Sequence, residues 1–171
     1  LPLPRIDGEG FTGSVLPLKR AMVALSAGRG TQALELLKRA DSSLAYTRLV
    51  TAAANLYVGR FHKALELAEE LAPATHIFRV KEIRRLSILA AAHYMLGNTD
   101  DAARALQEAA DLPRGLSHDE VLLFGKEIQD FARTRIPTWP KYENGRRPIF
   151  LATLPWKTDS LTSREIQILE H

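Results

Sequence analysis

The sequence predicts an all-α protein of about seven helices in antiparallel pairs, followed by a proline-rich linker. Three observations favour this fold class. Apolar and small residues recur at spacings of three and four, as they do on one face of a helix. A short pattern of alanine and glycine occurs three times along the chain, and four of the nine prolines lie between residues 136 and 160.

The repeated pattern is centred on Gly28, Gly59 and Gly97, which are 31 and 38 residues apart. Each glycine is predicted to turn the chain between two helices. Alanine stands five positions after and seven positions before every one of them: Ala33, Ala64 and Ala102, and Ala21, Ala52 and Ala90. Because the alanine side chain is small, two helices that meet at these positions can approach closely. The central copy, residues 52–71, is the clearest.

The first four helices follow from these turns. The first helix is expected over residues 14–27 and its partner over 31–40, with residues 1–13 as an N-terminal loop because they are rich in proline and glycine. Residues 41–43, Asp-Ser-Ser, offer side-chain oxygens that can cap the third helix. Pro73 is expected to end the fourth helix.

A long fifth helix is predicted from about residue 75 to residue 96. Its run of charges over residues 79–85 is interpreted as a solvated face. The sixth helix is expected over residues 99–112. The pair Ser117 and Glu120 then has the spacing of a capping box, which opens a seventh helix to about residue 135. This last helix is expected to cover the apolar side of the final pair, so the helical domain spans residues 14–135.

Residues 136–160 are predicted to form a linker, because their prolines rule out a long helix. Large aromatic side chains are frequent here, at Trp139, Tyr142, Phe150 and Trp156. We expect the linker to lie back against the helices, because a free tether would leave these rings in water. An aromatic ligand pocket is the alternative interpretation.

At its turn glycines and alanines the chain resembles the tetratricopeptide repeat family, whose helix-turn-helix unit is about 34 residues long. The family's large aromatic residue early in the first helix is missing, and the second spacing is longer than that period. We therefore describe the domain as tetratricopeptide-like. The resemblance implies a solenoid of helix pairs, in which the first helix of each pair supplies the inner face.

The inner face implied by this resemblance is apolar with a few polar groups, which suits a protein partner or a small apolar effector. Its candidate residues are Met22, Leu25, Tyr46, Leu49, Tyr57, Arg84, Ser87, Tyr94 and Met95. The alternative is that the seventh helix and the linker fill this face. A homodimer is left open.

The last eleven residues, 161–171, carry most of the functional signal. Thr162 and Glu165 have the spacing of a second capping box, ahead of an apolar helical face. The segment LTSREIQILEH resembles the start of the LuxR-type helix-turn-helix DNA-binding domain. The matching residues are Leu161, Thr162, Arg164, Glu165, Ile168 and Leu169.

The LuxR-type resemblance implies a bacterial transcriptional regulator, in which an upstream ATPase module can precede the repeats. The helix that contacts bases is the second of the motif and would lie beyond His171. DNA binding is therefore expected only through the remainder of that domain. A net charge of +3 is too small to serve as an electrostatic footprint for DNA on its own.

Composition narrows the class of protein further. A chain of 171 residues with 46% hydrophobic residues can bury a core. It has no cysteine, so disulfides and thiolate metal sites are excluded, which suits the cytoplasm. No apolar run approaches the roughly 18 residues that a membrane-spanning helix needs. The start, LPLPRIDGEG, has no initiator methionine and no signal segment, so we expect the chain to be part of a longer protein.

Motifs for catalysis are absent from the sequence. The five histidines form no H-x-x-x-H or H-E-x-x-H spacing, and no glycine-rich phosphate loop occurs. His93, beside Ala92, is expected to be a core histidine with its hydrogen bonds satisfied. We expect no enzymatic activity, no metal and no cofactor.

Two functions remain open from the sequence. In the first, the chain is the effector-sensing or coupling segment of a LuxR-type regulator. In the second, it is a stand-alone tetratricopeptide-like scaffold for protein interactions. The coding sequence beyond His171 would distinguish them, because only the regulator requires a second amphipathic helix there.

Overall fold

The computed structural model describes residues 11–141, of which residues 11–14 are described by their backbone alone. This part of the chain forms nine helices and no strand. In chain order the helices are α1 (Phe11–Ser26), α2 (Gly30–Leu37), α3 (Ala45–Tyr57), α4 (Phe61–Glu70), α5 (Ala72–Thr75), α6 (Arg79–Met95), α7 (Thr99–Ala110), α8 (His118–Val121) and α9 (Lys126–Arg135).

Three helix pairs make up the body of the domain: α1 with α2, α3 with α4, and α6 with α7. The first helix of each pair also contacts the first helix of the next pair. The second helices α2 and α4 each pack against the first helix that follows, and α9 packs on both α6 and α7. The predicted all-α fold with helix-pair packing is therefore confirmed for the described residues.

The three turn glycines adopt the same conformation. Gly28, Gly59 and Gly97 have φ values of 75°, 78° and 80°, in the left-handed region that glycine enters without steric cost. In each turn the amide after the glycine donates to the carbonyl five residues earlier, as in a Schellman motif. These bonds join Arg29 to Ala24 (2.8 Å), Arg60 to Asn55 (2.9 Å) and Asn98 to His93 (2.9 Å). The predicted left-handed Gly59 is confirmed.

The core is built on the alanines that recur around these turns. The six residues singled out in the sequence are all fully buried, with no exposed surface: Ala21, Ala33, Ala52, Ala64, Ala90 and Ala102. Large aliphatic side chains fill the space between the pairs, among them Leu56, Leu86 and Leu106, which are also fully buried. Small alanine side chains at the closest contacts thus alternate with large aliphatic side chains between them. Cores reach high packing density in this way.

Several predicted boundaries near the start of the chain are wrong. Helix α1 begins at Phe11, so the predicted loop over residues 1–13 is too long. The cap predicted from residues 41–43 is also wrong, because Leu44 is the N-cap residue of α3 and makes no side-chain cap bond. Instead the Asp41 carboxylate accepts hydrogen bonds from the amide (2.9 Å) and hydroxyl (2.6 Å) of Ser43, which fold a separate turn ahead of the helix.

Pro73 does not end the fourth helix as predicted. Helix α4 already ends at Glu70, and Pro73 lies in the first turn of the short helix α5. Proline is tolerated there because the first amides of a helix have no partner within that helix. The long helix α6 consequently begins at Arg79 rather than near residue 75.

The predicted seventh helix is divided into α8 and α9. The predicted capping box is present: Ser117 accepts from the Glu120 amide, and the Glu120 carboxylate accepts from the Ser117 amide. After Val121 the amides of Leu123 and Phe124 bond to carbonyls only three residues back, which tightens the chain and interrupts the helix. Phe124 is thereby buried, with its ring centroid 5.1 Å from that of Trp139 in an edge-to-face contact.

The start of the predicted linker does lie back against the helices. Ile136 and Trp139 are 3% and 4% exposed and belong to the core. The prediction is therefore confirmed for Trp139, whereas Tyr142, Phe150, Trp156 and the rest of the linker lie outside the described residues.

Replacing Gly59 tests the left-handed turn. A Cβ at this position would meet no atom within 4 Å, so the crowding that close helix packing suggests is not found and the cost is backbone strain alone. Gly59→Val should lower the free energy of unfolding by roughly 1–3 kcal/mol in chemical denaturation. Gly59→Asn is the matched control and should cost less, because asparagine tolerates this region. Equal losses for the two variants would contradict strain as the cause.

Replacing Ala64 tests the close contact within the central pair. Ala64→Leu should lower the free energy of unfolding by about 1–3 kcal/mol, because its position has no exposed surface and the added carbons overpack the contact. Lys63 is the preceding residue, and its side chain is 51% exposed. Lys63→Leu should therefore leave the free energy of unfolding nearly unchanged. Similar losses at both positions would show that the alanine contact does not determine the packing.

Candidate functional site

The first helices α1, α3 and α6 place three of the predicted partner-face residues together. The Arg84 Nη1 atom donates a hydrogen bond to the Tyr46 hydroxyl (2.9 Å), and that hydroxyl lies 3.6 Å from Met22 Sδ. All three side chains are half-buried. We call Met22, Tyr46 and Arg84 the first-helix cluster. It presents an aromatic ring, a thioether and a guanidinium group on one continuous surface.

Other predicted face residues lie in the core. Leu25, Leu49 and Ser87 are only 1%, 2% and 2% exposed, so a molecule at this surface would not touch them directly. The Ser87 hydroxyl donates to the Arg84 carbonyl (2.7 Å) within α6. The helical periodicity of α1, α3 and α6 could not separate their surface positions from their core positions.

Tyr57 and Met95 are half-buried at the carboxyl ends of α3 and α6. Tyr57 packs against the start of α2, where a Cβ added to Gly30 would lie 3.0 Å from Tyr57 Cβ and 2.8 Å from Val58 Cγ1. Glycine at position 30 therefore permits this close approach of α2 to α3.

Helix α9 covers the Tyr94 end of the predicted face. The ring centroids of Tyr94 and Phe131 are 5.1 Å apart, and the Tyr94 hydroxyl lies 3.4 Å from Glu127 Oε1. Burial, together with the negative charge of Glu127, raises the pKa of Tyr94. The alternative that the seventh helix and the linker fill the face is therefore supported at Tyr94, whereas linker residues 142–160 lie outside the described residues. Phe131 and Glu127 were missed from the sequence because their contact with α6 is long-range.

The charged run of α6 is not a uniformly solvated face, so that interpretation is wrong for two of its residues. Glu82 and Arg85 are 4% and 6% exposed. Arg85 donates two hydrogen bonds to the Glu82 carboxylate (2.6 and 2.9 Å), and the Thr75 hydroxyl donates a third (2.6 Å). Burial opposes ionisation of Glu82, but these bonds outweigh it and lower its pKa. The pair lies within α6, and the bond from Thr75 joins α5 to it.

Arg79, at the start of α6, holds the segment that leads into α8. Its guanidinium group donates to both carboxylate oxygens of Glu120 (2.6 and 2.9 Å) and to the carbonyls of Pro113 and Gly115. Between those carbonyls lies Arg114, a non-glycine residue in the left-handed region with φ 71°. The Arg79 side chain thus fixes a loop whose backbone is strained at Arg114.

The bond to Arg79 lowers the pKa of Glu120 to about 2, with further help from the Ser117 amide and hydroxyl. A carboxyl whose pKa is lower in the folded state stabilises the fold above its ordinary pKa. That contribution is lost as the pH falls from about 4.5 towards 2.

No group of three or more potential metal ligands is found within residues 11–141. The described helices include none long and apolar enough to cross a bilayer. His93 differs from expectation, because its Nδ1 atom is buried and makes no hydrogen bond within the described part of the chain. The six residues that resemble a helix-turn-helix start, Leu161, Thr162, Arg164, Glu165, Ile168 and Leu169, lie outside the described residues.

Comparison with protein-family models, curated proteins and solved structures finds no match. The function must therefore be inferred from the residues of this chain.

Replacing Glu120 tests the contact with Arg79. Glu120→Gln should lower the free energy of unfolding at pH 7 by about 2 kcal/mol, because two charge-assisted bonds lose their acceptor charge. The difference from the wild type should shrink as the pH falls from about 4.5 towards 2, since the wild-type carboxyl then becomes neutral as well.

The control is Glu66→Gln, which removes the same charge from an exposed pair with Lys63 (2.9 Å). Denaturant titrations over this pH range measure both variants. A Glu120→Gln difference that does not change with pH would contradict the lowered pKa.

Proposed function

We propose that the chain is the regulatory segment of a bacterial, cytoplasmic LuxR-type transcriptional regulator. The observation that carries this proposal is the segment from Leu161 to Leu169, which resembles the start of a LuxR-type helix-turn-helix domain and follows a set of helix pairs. In this proposal the helix pairs receive a signal and the domain that begins at residue 161 binds DNA. The proposal includes no catalytic step and no cofactor.

The first-helix cluster supports binding of a protein partner or a small apolar effector. Tyr46 and Met22 offer apolar surface, and Arg84 supplies a charged donor beside them. Aromatic residues, methionine and arginine are the types enriched where proteins meet other proteins. All three side chains are half-buried, so each keeps some exposed surface.

The alternative is a stand-alone tetratricopeptide-like scaffold for protein interactions. The stacking of each first helix on the next and the three identical glycine turns favour it, because neither feature depends on residues 161–171. Both functions use the first-helix cluster as a binding surface. The two functions differ in DNA binding, which only the regulator requires.

The test compares residues 1–171 with the chain extended through its natural reading frame. The shorter protein should bind DNA weakly and without sequence preference, because its net charge of +3 neutralises few phosphates. The extended protein should select a defined site from a random DNA pool. It should bind this site about 10³-fold or more tightly than unrelated DNA of equal length.

Within the extended protein, Thr162→Ala should weaken specific binding, because it removes an N-cap worth about 0.5–2 kcal/mol from the helix that supports the base-contacting helix. Ser163→Ala is the matched control and should bind like the wild type. If the extended protein selects no site, the LuxR-type assignment is wrong and the scaffold function replaces it.

A further inference from the structure

A concave groove of about 650 Å³ lies between α2 and α4, with α3 as its floor. Its volume falls in the range of small-ligand sites. It lies on a different side of α3 from the first-helix cluster: Thr47, Thr51 and Asn55 line it, whereas Tyr46 faces Met22 and Arg84.

The floor of the groove is a polar row with four-residue spacing on α3. The Thr51 hydroxyl donates to the Thr47 carbonyl (2.8 Å), and the Asn55 side-chain amide donates to the Thr51 carbonyl (2.9 Å). Thr47 is only 1% exposed, yet its own hydroxyl makes no hydrogen bond within the described residues. Buried polar atoms are rarely left without partners, so this floor is suited to a bound polar group or a bridging water.

The walls of the groove are apolar. Helix α2 contributes Leu34 and Leu37, while Val58 and Leu67 come from the end of α3 and from α4. Leu34, Val58 and Leu67 are half-buried, so each retains apolar surface that a ligand can cover. An alkyl chain between these side chains would be removed from water on both sides.

The rim of the groove is cationic. Lys38, Arg60 and Lys63 line it together with a single carboxylate, Glu35. Lys38 pairs with Glu35 (2.7 Å) and Lys63 with Glu66 (2.9 Å), but the two lysine side chains are 69% and 51% exposed. Exposed pairs of this kind contribute little, so an incoming anion can compete for both lysines.

We propose that this groove binds a small amphipathic carboxylate. Its alkyl chain lies between Leu34 and Leu67, its carboxylate lies at the rim beside Arg60 and Lys63, and a bridging water on the floor completes the Thr47 hydroxyl. A helical peptide fits the groove less well, because a helix that enters a groove presents a broad apolar face, which would cover the polar floor and displace that water. This inference concerns a different surface from the first-helix cluster and does not depend on DNA binding.

The first experiment titrates the protein with decanoate and follows backbone amide shifts by NMR. Decyl alcohol and decyltrimethylammonium are the matched probes, with the same chain but no charge or the opposite charge. Decanoate should bind most tightly and should shift the amides of Thr51, Asn55 and Lys63. Each methylene removed from the chain should weaken binding by about two- to fourfold.

The second experiment uses variants of the groove. The double variant Arg60→Gln, Lys63→Gln should weaken decanoate about three- to tenfold and leave decyl alcohol unchanged. Lys126→Gln, at a side chain that is 73% exposed in α9, should leave both affinities unchanged. Thr51→Phe should exclude both ligands by filling the groove, with circular dichroism to verify that the variant is folded.

Several results would overturn the proposal. One is equal affinity for decanoate and decyltrimethylammonium, which would show that the cationic rim has no role. Another is a set of shifted amides around Met22, Tyr46 and Arg84 instead of the groove. A third is an acidic amphipathic peptide that binds the groove while decanoate at millimolar concentration does not.

Discussion

The close contact of helices at alanine is the constraint on which the rest of this structure depends. In each pair an alanine five residues after the turn glycine is completely buried, and so is another seven residues before it. The left-handed glycine returns the chain at once, so the two helices of a pair meet along these alanines. The first helices are thereby set side by side, and the first-helix cluster is a product of that alignment.

Polar groups are buried in α6 and α3 with different outcomes. Glu82 and Arg85 satisfy each other and Thr75, so their desolvation is compensated within the protein. The Thr47 hydroxyl has no such compensation among residues 11–141. A fully bonded buried pair holds elements together, whereas a buried hydroxyl without a partner favours a site that another molecule or water completes.

Local patterns in the sequence were sufficient for much of the fold. The glycine turns, the buried alanines and the capping box at Ser117 involve residues within a dozen positions of each other, so spacing alone predicts them. The burial of Glu82 and Arg85 was not predictable in this way, because the identity of a charged residue does not reveal whether its side chain is buried or solvated. The same limit applies to the candidate site, where helical periodicity placed Met22 and Leu25 on one face but could not show that only Met22 reaches the surface.

The attachment of α8 and α9 has a consequence for dynamics. Most contacts in this domain join neighbours in sequence, but the bond from Arg79 to Glu120 spans 41 residues. The segment from α8 to α9 buries Phe124, Ile128 and Trp139 but makes far fewer contacts with α6 and α7 than the three pairs make within themselves. A segment with few contacts can open as one cooperative unit at a lower free energy than global unfolding. When this unit opens, Tyr94 loses its cover of Phe131 and Glu127. The exposed surface of the first helices then includes the ring of Tyr94 as well. The size of this surface is therefore coupled to a local unfolding equilibrium.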